Sequence, residues 1–237
     1  MRLKKQTDNI EETNISFPKE PFATIKDFHK EFKSCINSSY ADSIEGYDFT
    51  VKDIKILVRN EWLNDKIINA YFSLIERHSR DVYVFSSYFY SILVKDGFEK
   101  VSKWTKNLCI FDYKFILIPV HLKNHWVFVA VDTKNHGIEY YDSLGGYNSE
   151  VVKNITRYLE MEQLSKFKYA KTYFSYKNKA PLQANGVDCG VFVCMFARYR
   201  AENSKKFYYG SMWDFRLKIL HELLSKTIIY DLTHRFQ

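Results

Sequence analysis

The chain has 237 residues, 46% of them apolar and 17% aromatic, with only eight glycines and four prolines, which suits one well-filled domain and excludes collagen-like, low-complexity and wholly disordered chains. No apolar run approaches the roughly 18 residues of a membrane span, and Met1 to Asp8 lack the apolar stretch of a secretory leader, so synthesis in the cytosol is expected. The formal net charge is +7, much of it between Lys166 and Lys206, and it reads as a solvated basic face rather than a specific nucleic-acid site.

Residues 1–40 carry mixed charge, Pro18 and Pro21, and little periodicity; they read as an N-terminal extension, partly disordered or draped on a folded domain over 41–237. Thr50-Val51-Lys52-Asp53 has capping-box spacing and opens a helix with Val51, Ile54, Leu57 and Val58 on one face. Asn64 can cap a second helix, striped by Ile67, Ile68, Tyr71, Phe72 and Ile75. Val82–Phe85 is a short strand, and Ser86 or Ser87 starts a helix through Leu93. Lys114–Leu122, Trp126–Asp132 and Gly137–Tyr141 are strands rich in Val, Ile and Phe, the last two joined by the turn Lys134-Asn135-His136-Gly137. Asn148–Glu162 is a helix and Tyr169–Tyr176 a further strand. Helices from about Asp188 to Arg200 and from about Met212 to Ser225 complete the pattern. Helices, then strands, then helices predict an α+β domain.

Four cysteines (Cys35, Cys109, Cys189, Cys194) are too few for a disulfide scaffold and are not spaced as CxxC, so reduced thiols and no structural metal are expected. Cys189 differs from the others. In Gly186-Val187-Asp188-Cys189-Gly190 it stands at a helix start, where unpaired N–H groups and the helix dipole favour thiolate. Cys194 lies inside the apolar run and reads as core. His125 sits at the mouth of a strand. His121 and His125 have HxxxH spacing but on strand-like backbone with no third ligand, which argues against a metal. An antiparallel hairpin of the strands flanking 133–136 would bring His125 beside Asp142, which could accept a ring N–H and fix the tautomer. Gln183, six positions before Cys189, could donate to an oxyanion alongside the Cys189 N–H. A nucleophile, a base, an orienting acid and an oxyanion donor make a complete thiol-hydrolase set.

At this point the sequence resembles a family. His125-Trp126, Tyr141-Asp142-Ser143 and Gln183-Ala184-Asn185-Gly186-Val187-Asp188-Cys189-Gly190 are similar to the signature of the Ulp/SENP cysteine proteases, and Trp62-Leu63-Asn64-Asp65 resembles a hallmark near the start of their catalytic domain. The resemblance covers about Tyr47 to Gln237, with the chain order His, Asp, Cys that separates it from papain-like enzymes in which Cys comes first. It implies a papain-like or adenain-like fold, α+β, with a central mixed or antiparallel sheet flanked by helices and the nucleophile at a helix N-terminus. It implies cleavage after the C-terminal Gly-Gly of SUMO, for deconjugation and precursor maturation. Catalytic roles fall on Cys189 (nucleophile), His125 (base), Asp142 (orienting acid) and Gln183 (oxyanion donor). Trp62 and Trp126 match tryptophans that sandwich the Gly-Gly, Asp65 an acid that pairs with a modifier arginine, and Tyr88 a position usually held by Phe that packs on the modifier.

No cofactor, metal or membrane span is expected, and the partner is SUMO or another ubiquitin-like modifier, met by a monomer in the nucleus or cytoplasm. A pathogen effector acting in a host cell fits the same sequence. The alternatives are the same chemistry on NEDD8 or ubiquitin and, more remotely, a catalytically inactive modifier-binding module; nucleic-acid binding rests on charge alone.

Overall fold

The computed structural model describes residues 41–44, 46–204, 206–207 and 210–229; the expected extension over 1–40, with Cys35, lies outside the described residues, as do 230–237. An antiparallel hairpin, β1 (Ala41–Ile44) with β2 (Tyr47–Thr50), leads into helix α1 (Val51–Val58). There the Asp53 carboxylate accepts the Thr50 N–H and hydroxyl at 2.9 and 2.8 Å. Helix α2 (Asp65–His78) is capped by Asn64, whose side-chain oxygen accepts the Ile67 N–H at 3.1 Å. Then follow β3 (Val82–Val84), α3 (Tyr88–Asp96), the short α4 (Phe98–Val101), and strands β4 (Phe115–Leu122), β5 (His125–Asp132) and β6 (Gly137–Tyr141). Helix α5 (Ser149–Phe167), strand β7 (Phe174–Lys177), α6 (Cys189–Ala201) and α7 (Met212–Ser225) complete the described α-helices and strands.

Strands β3 to β7 form one sheet in chain order, parallel at both outer pairs and antiparallel across β4, β5 and β6. Both faces are covered, which explains why β4 and β5 read as near-continuous apolar runs rather than alternating ones. Val127, Val129, Val131, Ile116, Ile118, Ile138 and Tyr140 pack with Phe89 of α3 and Val151, Ile155 and Tyr158 of α5 in one cluster. On the opposite parity Phe128 meets Phe72 of α2 edge-on with ring centroids 6.1 Å apart, and Tyr141 stacks on Phe196 of α6 at 5.2 Å. Helix α6 is therefore the central helix of the domain, and its residues Cys189 to Ala197 are buried. That burial fixes the place of its first turn against the open end of the sheet.

Three expectations need correction. The strand expected over Tyr169–Tyr176 is the shorter β7, an edge strand with all four residues exposed. The stretch before it turns away because the Lys171 N–H goes to the Gln163 side-chain oxygen at 2.8 Å instead of to a neighbouring strand. Helix α5 runs on past Glu162 to Phe167, drawn out by tertiary partners that local pattern does not reveal: Thr105 donates to Glu162 at 2.7 Å, and Lys166 donates to the Thr105 and Lys106 carbonyls. Helix α3 likewise continues past Leu93 to Asp96, where Gly97 stops it with a positive φ of 79°. The β1–β2 hairpin and α4 have no counterpart in the sequence reading.

Candidate active site

The hairpin between β5 and β6 sets the site. Val129 faces Tyr140 and Phe128 faces Tyr141, so the first residue of β5 and the residue just after β6 arrive at the same edge. There the His125 Nε2 lies 2.7 Å from Asp142 Oδ1, and Cys189 neighbours the same ring. Asp142 is itself held. Its Oδ1 accepts the Leu144 N–H at 2.8 Å, and the Gly146 N–H also donates to the carboxylate. Gly146 is required here for close approach, since a Cβ at that position would stand 2.5 Å from Asp142 Oδ2.

The electrostatics follow from these contacts. Hydrogen bonds to Asp142 and then to Cys189 outweigh the cost of burial and raise His125 to about 9, so it carries a proton at neutral pH. Burial alone would push the Asp142 carboxyl up, but the bonds from His125, Leu144 and Gly146 hold it below its ordinary value. Cys194, five residues further along α6, has its thiol pushed far up by burial. The two cysteines share a helix but not an environment.

Cys189 is 2% exposed, while the His125 side chain is 20% exposed. Asp188 precedes it as N-cap but does not use its carboxylate to cap. That carboxylate instead takes the buried Arg216 of α7, with Nε at 2.9 Å and a second guanidinium nitrogen at 2.7 Å, and the Asn185 amide at 2.7 Å. Arg216 also donates to the Glu61 carbonyl at 2.9 Å and the Val187 carbonyl at 3.3 Å, so one guanidinium ties the loop before Trp62 to the loop before Cys189. Asp188 and Arg216 were not singled out from the sequence. A buried arginine on a distant helix leaves no local signal.

The remaining residues fall around this centre. Trp62 is half-exposed and its indole N–H donates to the Gly186 carbonyl at 2.7 Å. Trp126 is buried, donates to the Leu63 carbonyl at 3.1 Å and stacks on His121 with centroids 4.2 Å apart. Trp62 thus lies against the segment before Cys189 with an open face, and Trp126 is buried against the Leu63 backbone. Asp65 accepts the Ser87 hydroxyl at 2.8 Å, which sets it next to the exposed Tyr88. The Gln183 amide is engaged at both ends: its oxygen accepts the Ser143 hydroxyl at 2.6 Å and its Nε2 donates to the Asn185 carbonyl at 2.5 Å. Among the described residues no group of three or more His, Cys, Asp or Glu is placed to hold a metal ion. No helix among them is long and apolar enough to cross a membrane.

A cysteine on the first turn of a buried helix, facing a histidine and aspartate presented by a sheet edge, belongs to the α+β papain-like class of cysteine proteases. The profile described as the Ulp1 protease family, C-terminal catalytic domain, matches residues 61–224, and the chain belongs to that family. It is 36% identical over 189 residues to a sentrin-specific protease of Caenorhabditis elegans, covering 75% of this chain and 27% of that protein. It is 32% identical over 220 residues to human sentrin-specific protease 2, covering 86% of this chain and 37% of the relative. The chain therefore spans well under half the length of the relatives it matches. In structure it is similar to the C-terminal Ulp1 protease domain solved in complex with Smt3, the yeast ortholog of SUMO, with a TM-score of 0.75, 28% identity, and coverage of 83% of this chain and 93% of that one. A structure of the SUMO protease Ulp1 with its catalytic cysteine oxidised to a sulfenic acid matches with a TM-score of 0.76 at 29% identity, covering 83% and 93%.

Proposed function

We propose that this chain is a cysteine protease that cleaves after the C-terminal Gly-Gly of SUMO, releasing it from lysine side chains and trimming its precursor. The observation that carries the reading is the 2.7 Å contact of His125 Nε2 with Asp142, with Cys189 beside the same ring at a helix N-terminus. The Smt3 complex of the similar Ulp1 domain supports SUMO as the modifier.

In the proposed reaction the deprotonated Cys189 sulfur attacks the carbonyl of the last glycine beside a protonated His125. The resulting oxyanion takes hydrogen bonds from the Cys189 N–H and from Gln183 Nε2. His125 gives its proton to the departing amine as the C–N bond breaks, leaving a thioester on Cys189. Neutral His125 then takes a proton from water as it attacks the thioester; the C–S bond breaks to return the deprotonated Cys189 sulfur beside protonated His125, and the freed glycine carboxyl loses its proton to solvent. Asp142 holds the ring and offsets its charge throughout. Trp62, with its indole over Gly186, and Trp126 behind it would bound a slot that admits backbone lacking Cβ, which makes Gly-Gly selection steric. Asp65 and Tyr88, joined through Ser87, are the assigned contacts for the body of the modifier, the acid for an arginine and the ring for an apolar patch. Residues 41–237 are assigned as the catalytic domain and 1–40 as an extension to it, acting in the nucleus or cytoplasm.

A panel of SUMO, NEDD8 and ubiquitin C-terminal aminocoumarin reporters tests the substrate. The reading expects SUMO to be turned over fastest and Cys189→Ala to abolish turnover; faster release from NEDD8 or ubiquitin would overturn the choice of modifier while leaving the chemistry standing.

A further inference from the structure

The sequence singled out Tyr141-Asp142-Ser143, yet the reaction above uses only Asp142. Ser143 is 1% exposed, and its hydroxyl donates to Gln183 Oε1 at 2.6 Å. The main chain joins the same two residues, with the Gln183 N–H donating to the Ser143 carbonyl at 2.8 Å. Residue 143 therefore grips residue 183 twice, forty positions away in the chain.

We propose that Ser143 is a positioning residue for the oxyanion donor, its buried hydroxyl holding the Gln183 amide so that an Nε2 hydrogen is presented to the oxyanion; this rests on the reading of Gln183 as that donor. The amide has two N–H groups and one is taken by the Asn185 carbonyl, leaving the other to donate. The reverse orientation would set Oε1 against that carbonyl, acceptor to acceptor, so the partners at the two ends agree on a single orientation. Donation into Oε1 also withdraws density from the nitrogen and strengthens the remaining N–H as a donor. Ser143 adjoins Asp142, so one buried dipeptide fixes both the base, through His125, and the oxyanion donor, through Gln183. An amide free to rotate would have to be ordered in each turnover, and that cost falls on the transition state rather than on substrate binding.

The test uses Ser143→Ala, Gln183→Ala and their double variant in the full chain, with steady-state turnover of the SUMO reporter and the pH profile of Cys189 alkylation by iodoacetamide. Alkylation forms no oxyanion, so it reports the sulfur and His125 alone. Ser143→Ala is expected to lower kcat about tenfold with KM changed by less than about twofold, and to leave the alkylation profile in place. In the Gln183→Ala background it should change kcat by less than about twofold, because the group it positions is gone. Ser143→Thr, which keeps the hydroxyl, should recover most of the loss. Unchanged kcat in Ser143→Ala, a full additional loss in the Gln183→Ala background, or a shifted alkylation profile would each overturn the positioning role while Gln183 keeps its own. Full activity in Gln183→Ala would overturn the donor assignment and Ser143 with it.

Discussion

On one side of Cys189 the sheet edge pairs His125 with Asp142; on the other, the seam between α6 and α7 pairs Arg216 with Asp188. Both are cation–carboxylate contacts of 2.7 Å between distant parts of the chain. They differ in access and in company. His125 keeps 20% of its side chain exposed and shares its ring with Cys189, whereas the Arg216 and Asp188 side chains are 0% and 5% exposed and share their remaining bonds with backbone carbonyls and an amide. The first pair can lose and regain a proton within a catalytic cycle. The second fastens the loops that precede Trp62 and Cys189. One kind of interaction is left partly wet at the sheet edge and sealed at the helix seam.

Breaking the first pair should cost activity before stability. Asp142→Asn is expected to lower kcat/KM by about a hundredfold or more. Its alkaline limit should also move: His125 loses its proton near 9 in the intact site, and without the carboxylate that limb should fall toward about 6.5, as a pH–rate profile would record. Breaking the second pair should do the reverse. Arg216→Met leaves Asp188 buried without its cation and is expected to cost about 3–5 kcal/mol of folding stability, read by denaturant unfolding. Its residual activity should fall with the folded fraction and keep the wild-type pH profile.

Gly146→Ala sharpens the comparison more gently. The new Cβ would press on Asp142 Oδ2, so the carboxylate must shift, and kcat should drop about tenfold while the alkaline limb moves part of the way down. Smallest is the pH dependence of stability. His125 is raised on folding, so its contribution is complete below about 6.5 and is lost as pH rises through about 9. Asp142 is lowered, so its contribution stands above the ordinary carboxylate value of 3.8 and is lost as pH falls through the lowered one. Unfolding across pH should show both edges in the wild type and neither in an Asp142→Ala, His125→Ala double variant.

The layout of the candidate site was legible because its parts sit at ends of well-patterned elements. Gly137–Tyr141 and Met212–Ser225 coincide with β6 and α7, and the hairpin geometry alone sends His125 and Asp142 to one edge. Asn64 as a cap and Cys189 at a helix start were equally local signals. What local pattern could not carry were residues whose partners come from elsewhere. Arg216 lies within a regular amphipathic helix, and only its burial against Asp188, Glu61 and Val187 marks it out. Ser143 is marked out only by Gln183, forty positions away, which accepts its hydroxyl. Gln163 took the backbone that would have lengthened β7. Trp126 and Trp62 share a residue type, yet one is wall and the other open face, a distinction set by α2 and the sheet rather than by either sequence neighbourhood.

The most direct trial of the whole account is covalent capture by a SUMO bearing a C-terminal vinyl sulfone, with the adduct mapped by mass spectrometry. A single adduct on Cys189, slowed in His125→Ala and absent in Cys189→Ala, is the result expected. No adduct in the wild-type chain, or one carried by Cys109 or another thiol, would contradict it.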